Sequence, residues 1–174
     1  MNKAILFDRD GVINFRPVKD YVKTPEEFHF LPDFLKFFKW IKEKNYSAIV
    51  ITNQQGVGKG LMTEDELTNV HAYMQSKLKE LTGFSFDDIY FCSDLSDSGS
   101  TRRKPETGMI DEAAEKWGFD RSTSWMIGDS KNDVIAGRNA GLRTIYLTNH
   151  LSEPIEQADF VFKNLIDAMN TIEV

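Results

Sequence analysis

Cysteine is nearly missing from the chain: Cys92 stands alone among 174 residues. No internal disulfide can form, and neither a disulfide scaffold nor a zinc site built from cysteines is available. A lone thiol suits a reducing compartment. Long apolar runs are missing too. The longest, such as residues 48–51, fall far short of the ~20 residues that a membrane-spanning helix needs. Residues 1–10 carry acid inside their first apolar run and show no small-residue cleavage site. No membrane association and a cytoplasmic location are therefore expected. Positive charge is the minority, with 21 Lys and Arg against 27 Asp and Glu, a net charge of -6 and a pI of about 5.1. That balance excludes a bulk basic surface for a nucleic-acid backbone but not a local basic pocket. His29, His71 and His150 are too scattered to suggest a metal cluster.

What is present is the composition of an ordinary globular protein, 41% hydrophobic and 28% charged with a mean hydropathy of -0.40. A single domain over residues 1–174, acting as a monomer, is the expectation at this length. Short apolar runs at 4–7, 48–51, 89–92, 125–127, 144–147 and 160–162 alternate with amphipathic stretches. A helix opening near Pro32 places Leu31, Phe34, Leu35, Phe38 and Ile41 on one face. A second opens with Thr63 and Glu66 at capping-box spacing, carries Leu67, Val70, Met74, Leu78 and Leu81, and ends at Gly83. Further helices are predicted over 108–117, stopped by Gly118, and over 131–140, stopped by Gly141. Strand and helix in alternation predict an α/β fold: a doubly wound, mostly parallel sheet with helices on both faces. The long irregular stretches, 9–30 and 94–106, are too short for a cap domain.

In that architecture ligands bind beyond the carboxyl ends of the strands. The residues falling there are Asp8, Arg9, Asp10 and Gly11, then Thr52, Asn53 and Gln54, then Gly128 and Asp129, with Lys104 in the loop after the third run. Three carboxylates, a hydroxyl and an ammonium thus meet on one rim. The carboxylates repel unless a cation neutralises them, and an all-oxygen donor set suits Mg2+ taking a substrate phosphate. Asp8 is placed to attack phosphorus and form an aspartyl-phosphate. Thr52 and Lys104 would hold phosphoryl oxygens, and Asp10 would protonate the leaving oxygen and then activate water. Neighbouring strand residues face opposite ways, so the two carboxylates can share a site only if the chain leaves the strand, which Gly11 permits. Gly56, Gly58, Lys59 and Gly60 miss the spacing of a nucleotide phosphate loop and are expected to let the chain turn sharply near the substrate. A phosphoacceptor signalling module and a phosphotransferase are alternative readings. The two-residue spacing of Asp8 and Asp10 favours an enzyme, since a pure acceptor needs no general acid.

Asp8-Arg9-Asp10-Gly11, Thr52-Asn53-Gln54, Arg103-Lys104-Pro105 and Gly128-Asp129 with Asp133 resemble the four ordered motifs of the haloacid dehalogenase superfamily of phosphatases. The DRDG start, the TNQ followed by Gly56, and the RKP before Gly108 and Met109 are similar to the branch holding heptose-bisphosphate and histidinol-phosphate phosphatases. The resemblance implies Asp8 as nucleophile, Asp10 as general acid/base and Thr52 and Lys104 as phosphate holders. It implies Asp8, Asp129 and the Asp10 backbone carbonyl as magnesium ligands, with Asn53 orienting the substrate and Arg103 recognising it; Arg102 is the alternative to Arg103. Asp133 is expected to support the metal site indirectly. Members of that branch often carry a zinc loop of cysteines after the third strand, where this chain has Cys92, Ser93, Asp94 and a serine-rich stretch, and no zinc is predicted. Ser130 stands where those enzymes can carry a substrate-contacting lysine. The implied substrate is a small phosphate ester, with a sugar bisphosphate held through Arg16, Lys19 and Arg103. Heptose 1,7-bisphosphate leads and histidinol phosphate follows.

Overall fold

The computed structural model describes residues 2–18, 20–148 and 157–173. The expected runs become strands β1 (Ala4–Phe7), β2 (Ser47–Asn53), β3 (Asp88–Cys92), β4 (Trp125–Gly128), β5 (Arg143–Leu147) and β6 (Phe160–Phe162). They join helices α1 (Phe34–Glu43), α2 (Gln55–Gly58), α3 (Glu64–Thr82), α4 (Gly108–Trp117), α5 (Lys131–Asn139) and α6 (Leu165–Glu173). The strands form one sheet in the order β3-β2-β1-β4-β5-β6, and every pairing is parallel, which sharpens the expected mostly parallel sheet.

The pleat deals alternate residues of each strand to two cores. Ile5, Phe7, Ala48, Val50, Trp125 and Ile127 face α1, α3 and α6, whereas Ala4, Leu6, Ile49, Ile51 and Met126 face α4 and α5. Both faces of the central strands are thereby dry, so their sequences read as unbroken apolar runs. Phe7, fully buried, meets Phe34, Phe37 and Phe86 edge-on at 5.8, 6.1 and 5.9 Å. It immediately precedes Asp8, so aromatic packing fixes the strand end from which that residue projects. With β2 on one side of β1 and β4 on the other, the strand order reverses at β1, and the crevice opens over residues 8–10, 52–54 and 128–130.

Several local expectations are corrected. Helix α1 begins at Phe34 rather than at Pro32, with Asp33 at its N-cap; the Asp33 carboxylate accepts instead from the Leu165 amide at 2.5 Å, capping α6. Leu81 is half exposed, because Thr82, one residue later, takes the buried position and its hydroxyl donates to the Leu78 carbonyl at 2.7 Å. Gly56 and Gly58 lie in the single turn α2 rather than in a sharp bend. Their missing side chains are needed for space: a Cβ would stand 2.8 Å from the Tyr21 ring at Gly56 and 2.2 Å from the Ser93 carbonyl at Gly58. Among the described residues no helix is long and apolar enough to cross a membrane. Lys19 and His150 lie outside the described residues.

Candidate active site

The Asp8 amide makes a last ladder-like bond to the Ile127 carbonyl at 2.9 Å, after which the chain turns. The Arg9 carbonyl accepts from the Ile13 amide at 2.8 Å, and Gly11 takes a φ of +92°. This turn brings the Asp8 and Asp10 side chains to the same cleft, of about 500 Å³, which Arg16, Lys59, Arg103 and Lys104 also line. The floor of the cleft is the Lys104 ammonium, 2% exposed. It donates to Asp8 Oδ1 at 2.9 Å and to the Ile51 carbonyl at 2.6 Å, and pairs with Asp133 Oδ1 at 2.6 Å. Burial would strip its proton, but the Asp133 and Asp8 charges outweigh that and hold its pKa above the ordinary lysine value. It is a fixed positive charge beside Asp8.

Asn53 is engaged differently from the implied substrate contact. Its amide oxygen accepts from the Lys104 amide and its nitrogen donates to the Lys104 carbonyl, both at 3.0 Å. It pairs like a strand with the loop that carries the lysine, while still lining the cleft. Thr52 is buried behind the rim, with its hydroxyl accepting from Gln54 Nε2 at 3.0 Å. The two candidate arginines separate cleanly. Arg103 lines the cleft, donating to the Asp94 carbonyl at 2.9 Å. Arg102 forks onto Glu112 at 2.7 and 3.0 Å and caps the Phe91 carbonyl, so it belongs to the scaffold.

Asp8, Asp129 and Asp133 each bring a carboxylate oxygen within 4.8 Å of the others. Burial first and the Asp133 charge second push Asp8 up to about 6, and burial with the Asp8 charge pushes Asp129 up to about 7. Asp133 sends its other oxygen to the Ser130 amide and hydroxyl at 3.0 and 2.6 Å, closing the capping box of α5 and holding the loop after β4, as an indirect role requires. The fit of this set to a divalent cation is visible in what the protein lays over it. The Arg16 guanidinium Nη2 contacts Asp129 Oδ1 at 2.8 Å and the Asp10 carbonyl at 3.1 Å, and lies 3.8 Å from Asp8 Oδ2. One cationic group thus rests on the three oxygens expected to bind magnesium.

Asp10 is held by residues that sequence reasoning left without a role. Arg9 Nη2 reaches its two oxygens at 3.0 and 2.9 Å, Asn14 Nδ2 donates at 2.9 Å, and so does Gln54 Nε2 at 2.9 Å. Burial raises its pKa, but Arg9, Asn14 and Gln54 outweigh it and hold the carboxyl below the ordinary aspartate value. Arg9 and Gln54 were visible as strand-end residues within the Asp8–Gly11 and Thr52–Gln54 motifs, whereas nothing in the sequence marked Asn14.

Two consequences are measurable. At Gly11 a Cβ would fall 1.9 Å from Asp129 Oδ2, on a backbone that L-residues rarely adopt. Gly11→Ala is expected to cost about 1–2 kcal/mol from the backbone alone and, by displacing Asp129, to weaken Mg2+ binding roughly 10-fold or more; calorimetric titration of unaltered affinity would contradict this. The second concerns pH. Asp8 and Asp129 bind protons more tightly folded than unfolded, so both states are protonated below 3.8 and stability falls as pH rises through about 6 and about 7. Asp10, shifted the other way, exerts its effect only below 3.8. Urea denaturation in EDTA should show the protein roughly 4 kcal/mol less stable at pH 8 than at pH 5, with Mg2+ restoring stability mainly at pH 8. Equal stabilisation by Mg2+ at both pH values would contradict it.

Comparison with known proteins gives a consistent set. A family model described as HAD-hydrolase-like matches residues 101–168. The chain is 35% identical over 171 residues to the D-glycero-beta-D-manno-heptose-1,7-bisphosphate 7-phosphatase of Helicobacter pylori, covering 95% of this chain and 96% of that one. It is 36% identical over 172 residues to the D-glycero-alpha-D-manno-heptose-1,7-bisphosphate 7-phosphatase of Campylobacter jejuni, covering 97% and 94%. Among solved structures, D,D-heptose 1,7-bisphosphate phosphatase from B. bronchiseptica, complexed with magnesium and phosphate, superposes with a TM-score of 0.88 at 28% identity, covering 99% of each chain.

Proposed function

Given that the chain belongs to the HAD-like hydrolases, in the branch of the heptose-bisphosphate phosphatases, we propose that it removes the 7-phosphate of D-glycero-D-manno-heptose 1,7-bisphosphate, with Mg2+, through a phosphorylated Asp8. The observation that carries this reading is the arrangement around Asp8: a buried carboxylate with Lys104 Nζ on one oxygen at 2.9 Å and a guanidinium over the cation-binding side at 3.8 Å. Such a group is compensated in charge yet has an oxygen facing the cleft.

Asp8, Asp129 and the Asp10 carbonyl would hold the divalent ion, which when bound would screen the crowded carboxylates and draw charge from the phosphoryl oxygens. Asp8 attacks phosphorus; the P–O bond to the sugar breaks as the Asp8–phosphorus bond forms. Asp10 gives its proton to the departing sugar oxygen. It is a carboxylate in the resting protein, and an incoming phosphate dianion beside it raises its proton affinity, so that it takes up this proton from solvent as the substrate binds. Asp10 then takes a proton from the water that cleaves the aspartyl-phosphate, returning Asp8. Lys104 stays protonated throughout and offsets charge on the transferring group.

Specificity falls to the loops after β1 and β3, because among the described residues no cap domain covers the cleft. Arg16, Lys59 and Arg103 put three cations on the rim of a protein whose net charge is -6, which supports a substrate bearing a second anionic group away from the reacting phosphate. A single domain acting as a cytoplasmic monomer, with no nucleic acid or membrane as partner, completes the proposal. Phosphate release should be measured over both anomers of the heptose bisphosphate, histidinol phosphate and nucleotides. We expect kcat/KM for one heptose anomer to exceed that for histidinol phosphate by about 100-fold or more, the scale of losing a charge-assisted contact to the second anionic group. Preference for histidinol phosphate would overturn the substrate assignment and leave the chemistry standing.

A further inference from the structure

Arg9 lies between the two catalytic aspartates in sequence, yet its side chain is fully buried, on the far side of Asp10 from the cleft. Its guanidinium grips the Asp10 carboxylate with Nε at 3.2 Å and Nη2 at 3.0 and 2.9 Å. Its remaining terminal nitrogen, Nη1, stands 3.2 Å from Nε2 of His71, a residue of α3 that is 7% exposed. A guanidinium can only donate, so His71 Nε2 must be the acceptor and the ring must be neutral with its proton on Nδ1. Burial and the Arg9 charge both press the imidazole toward that neutral form. A buried ion pair of this kind contributes little to stability compared with apolar residues of equal volume. Its value lies in geometry.

We propose that His71 and Arg9 act as positioning residues for the proton transfer of Asp10. His71 fixes the plane of the Arg9 fork, and the fork fixes the rotation of the Asp10 carboxyl toward the leaving oxygen. Asn14 and Gln54 hold the same carboxyl from other sides at 2.9 Å each, so loss of His71 tilts Asp10 rather than freeing it. Without the acceptor, one buried N–H of Arg9 has no partner at that position, and the fork rotates to find another. The inference rests on the reading of Asp10 as general acid, and the experiment separates the two.

The test compares single-turnover release of two leaving groups. Nitrophenolate, from p-nitrophenyl phosphate, departs without a proton, whereas the sugar oxygen of heptose 1,7-bisphosphate needs one. His71→Leu, and equally His71→Met, should slow sugar release by about 10–100-fold while changing nitrophenolate release by less than about 3-fold. Because both rates come from one preparation, their ratio does not depend on the fraction folded. His71→Gln, whose amide oxygen can accept from Arg9, should restore the ratio to within about 3-fold of wild type. Asp10→Asn is the control and should show the same selectivity more strongly. If Asp10→Asn is selective and the His71 variants slow both leaving groups alike or neither, the positioning role is wrong. If Asp10→Asn slows both alike, the general-acid reading fails, and the inference falls with it.

Discussion

Asp8→Asn is expected to lower turnover by about 10⁴-fold or more, because it removes the atom that bonds to phosphorus and not merely a binding contact. The same substitution should make the metal-free protein more stable. Asp8 is buried beside Asp133, and those two influences raise its pKa to about 6 despite Lys104. At pH 8 the charged form is therefore unfavourable in the fold, and a neutral amide of the same shape relieves roughly 2 kcal/mol. Lys104 keeps its pair with Asp133 at 2.6 Å in the variant. An inactive protein that melts higher in EDTA is the combined signature, read by phosphate release and thermal denaturation. Residual turnover within 10-fold of wild type would show that another group is the nucleophile.

Lys104→Met should do the opposite. The ammonium is the direct ion-pair partner of both Asp8, at 2.9 Å, and Asp133, at 2.6 Å. Removing it leaves two buried carboxylates uncompensated, a loss of about 3–5 kcal/mol at pH 8. Lowering the pH to 5 should recover part of this, since protonation removes the repulsion. Activity with Mg2+ should drop by about 10²–10³-fold, the scale for deleting a fixed charge from a transition state. Urea denaturation at the two pH values gives the first result and single-turnover kinetics the second. A variant as stable as wild type at pH 8 would mean that the cluster does not carry the charges assigned to it.

The legible parts of the chain were those written in local pattern. Residues 4–7 and 160–162 were bounded to the residue because each is a bare apolar run ended by polar residues, Lys3 and Asp8 for the one and Asp159 and Lys163 for the other. The spacing of Asp8, Asp10 and Gly11 announced a turn off the strand, and the turn is there with Gly11 at a φ of +92°. Helix α6 had no Gly stop to mark it, and although Asn164 caps it locally, its Oδ1 accepting from the Asp167 amide at 3.0 Å, a second cap comes from Asp33, 132 residues earlier. The short α2 was hidden by two glycines, present for close approach and not for flexibility. At the site, sequence supplied the residues that carry charge to the cleft but not what holds them. Asn53 bracing Lys104, Arg16 resting on the acidic cluster and His71 behind Arg9 are all contacts between segments distant in the chain, and no periodicity encodes them. Arg103 was preferred over its neighbour Arg102 only through the motif it resembles, and the fold gives Arg102 to Glu112 and Arg103 to the cleft.

The double displacement through Asp8 is tested most directly by the stereochemical course at phosphorus, using a substrate made chiral at the transferred phosphoryl group by isotopic labelling. Two successive in-line displacements, first by the Asp8 carboxylate and then by water, predict overall retention of configuration. Inversion would mean that water attacks the substrate in a single step, and it would contradict a phosphorylated aspartate however strongly Asp8→Asn impaired the enzyme.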